Sequence, residues 1–288
     1  MSLSPMLWLA CRERWQSSLI WLVTILIILV AVTLWLLARA YGISSEVWKF
    51  WRYLGGVFTL LIYLGTASQA SRFFLDARRN GLIELLLAAP LNGIEFVRGQ
   101  WRALVRMFAA PVVIYLCIHL AATALSQRAG TMSMLGAVPT IAQEISVAAA
   151  STLVIAANLL ALGWFGMWMG MTSKGANVAT LKTLVFVQLI PWLVIWFVSW
   201  TGIGLAMMPL AIKSGGSKSF ISWFPMLFTI VPLALSLVKD IFFVMLARRK
   251  LYSDFRALAV KALVPVQVAV PPPLSRPAAP PLLPARPS

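Results

Sequence analysis

Leu19-Ile20-Trp21-Leu22-Val23-Thr24-Ile25-Leu26-Ile27-Ile28-Leu29-Val30-Ala31-Val32-Thr33-Leu34-Trp35-Leu36-Leu37-Ala38 is a run of 20 residues with no charge and only two hydroxyls. As a helix it rises about 30 Å, the thickness of a bilayer's hydrocarbon core. In lipid every backbone N–H and C=O must be paired within its own segment, so such a run is a helix. The run exceeds the apolar region of a cleavable signal, about 7–15 residues. Trp35, Arg39 and Tyr41 stand where a small-residue cleavage site would lie. It is therefore expected to remain as a span.

Five further apolar runs follow, roughly at 54–71, 107–125, 145–171, 183–209 and 221–247. Each meets or exceeds the roughly 17–25 residues that a crossing needs. Of the 288 residues, 61% are apolar and 11% charged, against about 45–50% and about 25% in a soluble domain. So little charge cannot cover a surface that faces water. The expected fold is an all-α membrane protein, a bundle of six transmembrane helices.

Net charge is +16. In a soluble chain that would point to nucleic acid. Here the basic residues sit between and after the apolar runs, as in a membrane protein that fixes its orientation by charge; no nucleic-acid partner is expected. With the N-terminus in the cytoplasm, 17 Lys and Arg fall on the cytoplasmic side and 6 outside, Lys239 lying within the sixth run. Both termini are thus expected in the cytoplasm of a multi-pass protein, with the bacterial cytoplasmic membrane as its place.

Residues 1–18 start with Ser4-Pro5, then apolar residues, then Arg12-Glu13-Arg14-Trp15. Ser before Pro suits a helix start. The segment reads as an interfacial helix on the cytoplasmic leaflet, or else as a disordered leader. Residues 19–260 form the six-span domain. Residues 261–288 are Pro-rich and cannot form a helix; they read as an extended tail, either flexible filler or a ligand for a partner. Trp21, Trp35, Trp48, Trp51, Trp101, Trp200 and Trp223 fall near span ends and read as headgroup anchors.

The longest polar-rich stretch between spans runs from Asp76 to Arg106. Leu82, Leu85 and Leu86 give a short apolar helix, ended by Pro90. Asn92-Gly93 is a turn signal. Ile94, Val97 and Trp101 then resume a helical period that leads into the third span. Two readings stay open on these grounds: a rigid finger gripped by a partner, or a connecting loop with a basic inside signal.

Arg78, Gly81, Glu84, Leu85, Leu86, Leu87, Pro90, Glu95, Val97 and Gly99 match, in order and spacing, the segment that follows the second span in ABC-2 type permeases. Leu82, Ala89 and Gln100 depart from that pattern. The chain thus resembles the transmembrane subunit of an ATP-binding-cassette transporter. The resemblance implies a permease that pairs with a second permease chain, identical or related, above two ABC ATPase subunits, with export as the direction. It implies a cytoplasmic coupling helix between spans 2 and 3, around Glu84, with Arg78, Gly81, Glu84, Leu85, Pro90 and Glu95 as coupling residues. ATP would be held by the partner ATPase, and no cofactor by this chain.

The chain has no Gly-x-x-x-x-Gly-Lys-[Ser/Thr] phosphate loop; Ser214-Gly215-Gly216-Ser217-Lys218 lacks the spacing and reads as a turn. Eight scattered acids, one histidine and two cysteines, Cys11 and Cys117, offer neither a catalytic set nor metal ligands, so no enzyme activity is expected. Gln69, His119, Asn158 and Gln188 are polar residues within spans and candidates for a pathway. For His119, with no second His or acid nearby in sequence, a packed, neutral side chain is the preferred reading. Lys239 and Asp240 are adjacent charges within a span; pointing about 100° apart on a helix, they need not pair with each other, and with Lys239 able to snorkel to the cytoplasmic end a structural role there is preferred to a proton relay. Gly166 and Gly170 form a small-xxx-small step suited to close helix packing. A membrane scaffold or assembly factor of the same fold, without transport, is the other reading; a neighbouring gene for an ABC ATPase would separate the two.

Overall fold

The computed structural model describes residues 14–41, 44–79, 93–130, 141–203 and 218–255, with single positions at 205, 209 and 257. The described residues are helical apart from short bends and contain no strand. We number α1 as Arg14–Tyr41, α2 as Ser44–Arg79, α3 as Gly93–Gly130 and α4 as Ile141–Thr172. After the turn at 173–175 come α5 (Ala176–Leu184), a π turn (Val185–Leu189), α6 (Ile190–Val198) and a second π turn (Ser199–Ile203). These four pieces make one broken rod. The last helix, α7, is Lys218–Ser253.

Among the described residues, five helices are long and apolar enough to cross a membrane: Ser18–Tyr41, Gly93–Ser126, Ile145–Thr172, Ala176–Gly202 and Ile230–Ser253. That pattern is compatible with a multi-pass membrane protein. The run at 54–71 is helical too, inside the 36-residue α2. Gly55, Gly56, Thr59, Gly65, Thr66, Ser68 and Gln69 dilute its apolar character. Small residues suit it to its position, because α2 packs against α1, α3, α4 and α5 at once.

The closest packing is between α2 and α4. A Cβ at Gly170 would lie 2.3 Å from the carbonyl oxygen of Ser71, and one at Gly166 would lie 2.8 Å from the Cβ of Ala70. The small-xxx-small step therefore joins two helices of the same chain. Hydroxyls within the bundle fold back on the helix that carries them: Thr24 donates to the Ile20 carbonyl, Thr66 to Ile62 and Thr183 to Ala179. Such back-bonds satisfy a polar group without a second helix.

Apolar side chains face outward in number. Leu22 and Leu29 of α1 and Phe197 of α6 are each more than 60% exposed, a surface suited to lipid. Two tryptophans expected as headgroup anchors are instead packing residues. Trp51 is 1% exposed, beside Phe58. Trp101 stacks on Trp164 of α4 at 4.6 Å. Both lie near helix ends, where position alone does not separate the two roles. Trp21, Trp35 and Trp200 are exposed, and Arg39 sits over the Trp35 ring. Residues 1–13 and 258–288 lie outside the described residues, and with them most of the N-terminal segment and the tail.

Candidate functional site

The motif segment joins the end of α2 to the start of α3. Arg78 lies in the last turn of α2. Glu95 lies in the first turn of α3 and is exposed. Gly81, Glu84, Leu85 and Pro90 lie outside the described residues. An aromatic knot holds the two flanking ends together: Phe74 meets Phe96 at 5.8 Å, and Phe255, just after α7, meets Phe96 at 5.8 Å and Phe74 at 6.4 Å. Phe255 packs so tightly on Gly93 that a Cβ there would lie 2.7 Å from its ring. Edge-on and tilted ring pairs of this kind add about 0.5–1.5 kcal/mol each beyond burial. Arg248 lies over the rings of Trp164 and Tyr252, at 5.3 and 5.7 Å. Beyond α7, the neighbouring Ser253 and the Lys250 ammonium, at 3.3 Å, hold the Asp254 carboxyl below the usual carboxylate range.

The second polar centre lies inside the bundle. Lys239 is half-buried along its length, but its side chain is only 11% exposed and its ammonium points inward. The ammonium donates to Asn158 Oδ1 at 2.6 Å and to the Val187 carbonyl at 3.1 Å, and it pairs with Asp240 at 2.7 Å. This corrects the snorkelling expectation. Along α7 the distance from Lys239 to Ser253 is about 21 Å, at 1.5 Å per residue, which is beyond a lysine's reach.

Pro191 explains why an ammonium belongs here. In a regular helix the Val187 carbonyl would accept from the N–H of residue 191, but proline has none, and its ring crowds the carbonyl four residues back. The rod widens there into the π turn Val185–Leu189, in which the Ile190 N–H reaches back to the Val185 carbonyl. Lys239 supplies the missing donor. Asp240, 1% exposed, balances its charge. A charge this deep requires such a partner. The Tyr63 hydroxyl of α2 neighbours Asn158, so four helical elements meet at this point.

The four pathway candidates do not form one set. Asn158 belongs to the Lys239 cluster. Gln188 lies one residue beyond Val187 and shares a cavity wall with Lys239; its Oε1 is buried without a hydrogen-bond partner. Gln69 is half-buried on α2 and has no hydrogen bond among the described residues. His119 packs 5.7 Å from the Tyr115 ring, with Nδ1 buried and unpartnered. Tyr115 itself is hydrogen-bonded to Thr59 and to the Gly55 carbonyl. His119 thus packs against a tyrosine that is itself hydrogen-bonded to α2. Tyr63 and Pro191 are cluster residues that the sequence reading did not select. The proline inside an apolar run was the available signal. Among the described residues no group of His, Cys, Asp and Glu could hold a metal ion. Comparison with protein-family models, with curated proteins and with solved structures found no match to this chain.

Proposed function

We propose that the chain is the membrane-spanning permease subunit of an ATP-binding-cassette transporter of the ABC-2 type, and that it exports a substrate using the ATP hydrolysed by a separate subunit. The observation that carries the reading is the ordered match from Arg78 to Gly99. The geometry on either side is consistent with a coupling role. A segment that must pass a push into a bundle needs rigid attachment at both ends. The Phe74–Phe96–Phe255 knot ties the flanks of this segment to each other and to the last helix. Motion of the segment would therefore reach α2, α3 and α7 together. Coupling of this kind is a two-state, rigid-body change that ATP drives by favouring one state.

In this reading the domain has six spans in the bacterial cytoplasmic membrane with both termini in the cytoplasm. It pairs with a second permease chain and rests on two ABC ATPase subunits. ATP binds there and not here.

The test is Glu84→Ala in the chain co-expressed with an ABC ATPase from the same genome, a neighbouring gene being the first choice. A carboxylate that takes a charge-assisted hydrogen bond from the motor contributes about 1.5–3 kcal/mol. The variant is expected to reach the membrane normally and to retain the ATPase at least about tenfold less well on purification. Wild-type retention and wild-type coupled hydrolysis would remove the contact role. Failure to accumulate would make Glu84 structural, for instance a partner of Arg78 or Arg79. No ATPase association in the unaltered chain would favour the scaffold.

A further inference from the structure

A groove of about 220 Å³ runs along the seam between α3 and α4. Trp101, Val105, Phe108 and Val112 form its α3 wall, and Leu159 and Leu160 its α4 wall. Val105 and Leu160 are exposed, so the groove opens outward between the two helices. Thr66 of α2 also lines it, but its hydroxyl is spent on the Ile62 carbonyl. Apart from the Trp101 indole, the other lining side chains are apolar. From Trp101 to Val112 the wall covers about 16 Å of helix, close to the depth of one leaflet's hydrocarbon. The groove thus suits a hydrocarbon chain.

Arginines continue the groove at its Trp101 end. Residues seven apart on a helix fall within about 20° of one line. Arg98, Val105 and Val112 make one such row on α3, and Arg102 and Ala109 make a second. Val105, Val112 and Ala109 all line the groove, so both rows pass from apolar side chains to guanidinium groups. Arg98 and Arg102 are exposed, and neither has an ion pair or hydrogen bond among the described residues. Glu95, the nearest acid along α3, pairs with neither. Arg248 of α7 stands at the same end. It covers the Trp164 ring at 5.3 Å, and Trp164 stacks on Trp101 at 4.6 Å. Trp101 is seated over Gly163, where a Cβ would lie 2.9 Å from its ring. Arginines that only fix orientation need to be near the membrane; nothing requires them to head the rows of an open apolar groove.

We propose that this seam binds an anionic glycerophospholipid, with an acyl chain in the groove and its phosphate at Arg98 and Arg102. A guanidinium offers parallel N–H donors that match two phosphate oxygens, and basic pockets between membrane helices recognise anionic headgroups. The positive charge of Arg98, Arg102 and Arg248 is not cancelled by a paired carboxylate, which favours a net negative head; the ammonium of a zwitterionic head would be repelled. An acidic protein surface would answer the arginines but leave the apolar rows uncovered. The inference does not depend on the transport reading.

The full chain in phosphatidylcholine nanodiscs is given a phosphatidylglycerol with a diazirine in its acyl chain, or a phosphatidylcholine with the same chain, at the same low fraction of the lipid. After irradiation, peptide mapping should find the phosphatidylglycerol label within 101–112 and 156–160, at least about tenfold above the phosphatidylcholine label. Unlabelled phosphatidylglycerol should compete, and inorganic phosphate should not. Arg98→Gln/Arg102→Gln should lower the phosphatidylglycerol label at least about tenfold. Lys174→Gln/Lys182→Gln removes equal charge away from the groove and should change it by less than about twofold. Label spread evenly over the lipid-facing helices, equal labelling by the two lipids, displacement by inorganic phosphate, or an equal response to the two double variants would each overturn the proposal. Unchanged labelling of the arginine variant together with loss of a co-purifying ATPase would do so too, and would assign the arginines to a protein partner. The comparison of the two lipids needs no variant and decides the matter even where a variant does not fold.

Discussion

Pro191 sets the logic of the buried cluster at the level of single residues. It deprives the Val187 carbonyl of its ordinary donor, Lys239 provides one, and Asp240 neutralises the charge so introduced. Lys239→Met should then be severely destabilising, by about 3–5 kcal/mol, because it leaves a buried carboxylate unpaired. Lys239→Met/Asp240→Leu removes both charges and should recover most of that loss. The Val187 carbonyl remains unpaired, at a cost of about 1–3 kcal/mol. Adding Pro191→Ala returns the N–H and should bring the triple variant close to wild type. Heating the detergent-solubilised protein and following the folded peak by size-exclusion chromatography ranks the four proteins. Wild-type stability of Lys239→Met alone would show that the pair carries no structural weight. The sequence could not display this arrangement, because Asn158 lies 81 residues from Lys239. An isolated Lys-Asp step within an apolar run has a cheaper local solution in snorkelling, and only the long-range partners make the inward one better.

The α2–α4 pair is held by close approach, as suits helices in lipid, which removes the usual hydrophobic contrast between them. Gly170 meets the Ser71 backbone, which cannot swing aside as a side chain can. Gly170→Ala should therefore force α2 and α4 apart, with a cost of about 1–3 kcal/mol or more. Gly99→Ala should leave stability unchanged, since nothing lies within 4 Å of the added methyl. The same heating assay checks both. A neutral Gly170→Ala would mean that the α2–α4 contact is looser than described. Gly99 belongs to the matched motif, so a loss of ATPase binding on a stable Gly99→Ala would place its role at the partner. Much at this scale was legible beforehand: the apolar runs at 107–125, 145–171, 183–209 and 221–247 all lie in helices, largely within the described residues, and the period of Ile94, Val97 and Trp101 does run unbroken into α3. The central place of α2 was not legible. Hydropathy ranks a helix by its contrast with lipid, and a helix enclosed by four others needs small residues in place of contrast.

At the scale of the whole molecule the question is whether α2 crosses. It falls outside the five helices selected by length and apolarity, yet its neighbours argue for a sixth span. Near one end it meets α3 through Gly55 and Thr59 against Tyr115, and near the other through Phe74 against Phe96. From residue 55 to 74, α2 thus runs antiparallel to α3 from 115 back to 96. Nineteen residues of helix cover about 28 Å, close to the hydrocarbon thickness. In the proposed six-span reading, α2 accompanies α3 across the membrane over that distance. That reading puts residues 45 and 92 on opposite sides of the membrane, with 92 on the cytoplasmic side by the charge bias. With Cys11 and Cys117 replaced, a membrane-impermeant maleimide added to intact cells should label Ser45→Cys and Ser217→Cys but not Asn92→Cys, which should react only after permeabilisation. If α2 did not cross, Ser45→Cys and Asn92→Cys would behave alike. If the orientation were reversed, Asn92→Cys would be the one that reacts from outside. That outcome would also deny the motif segment any access to ATP-driven machinery in the cytoplasm, so this measurement bears on topology and proposed function together.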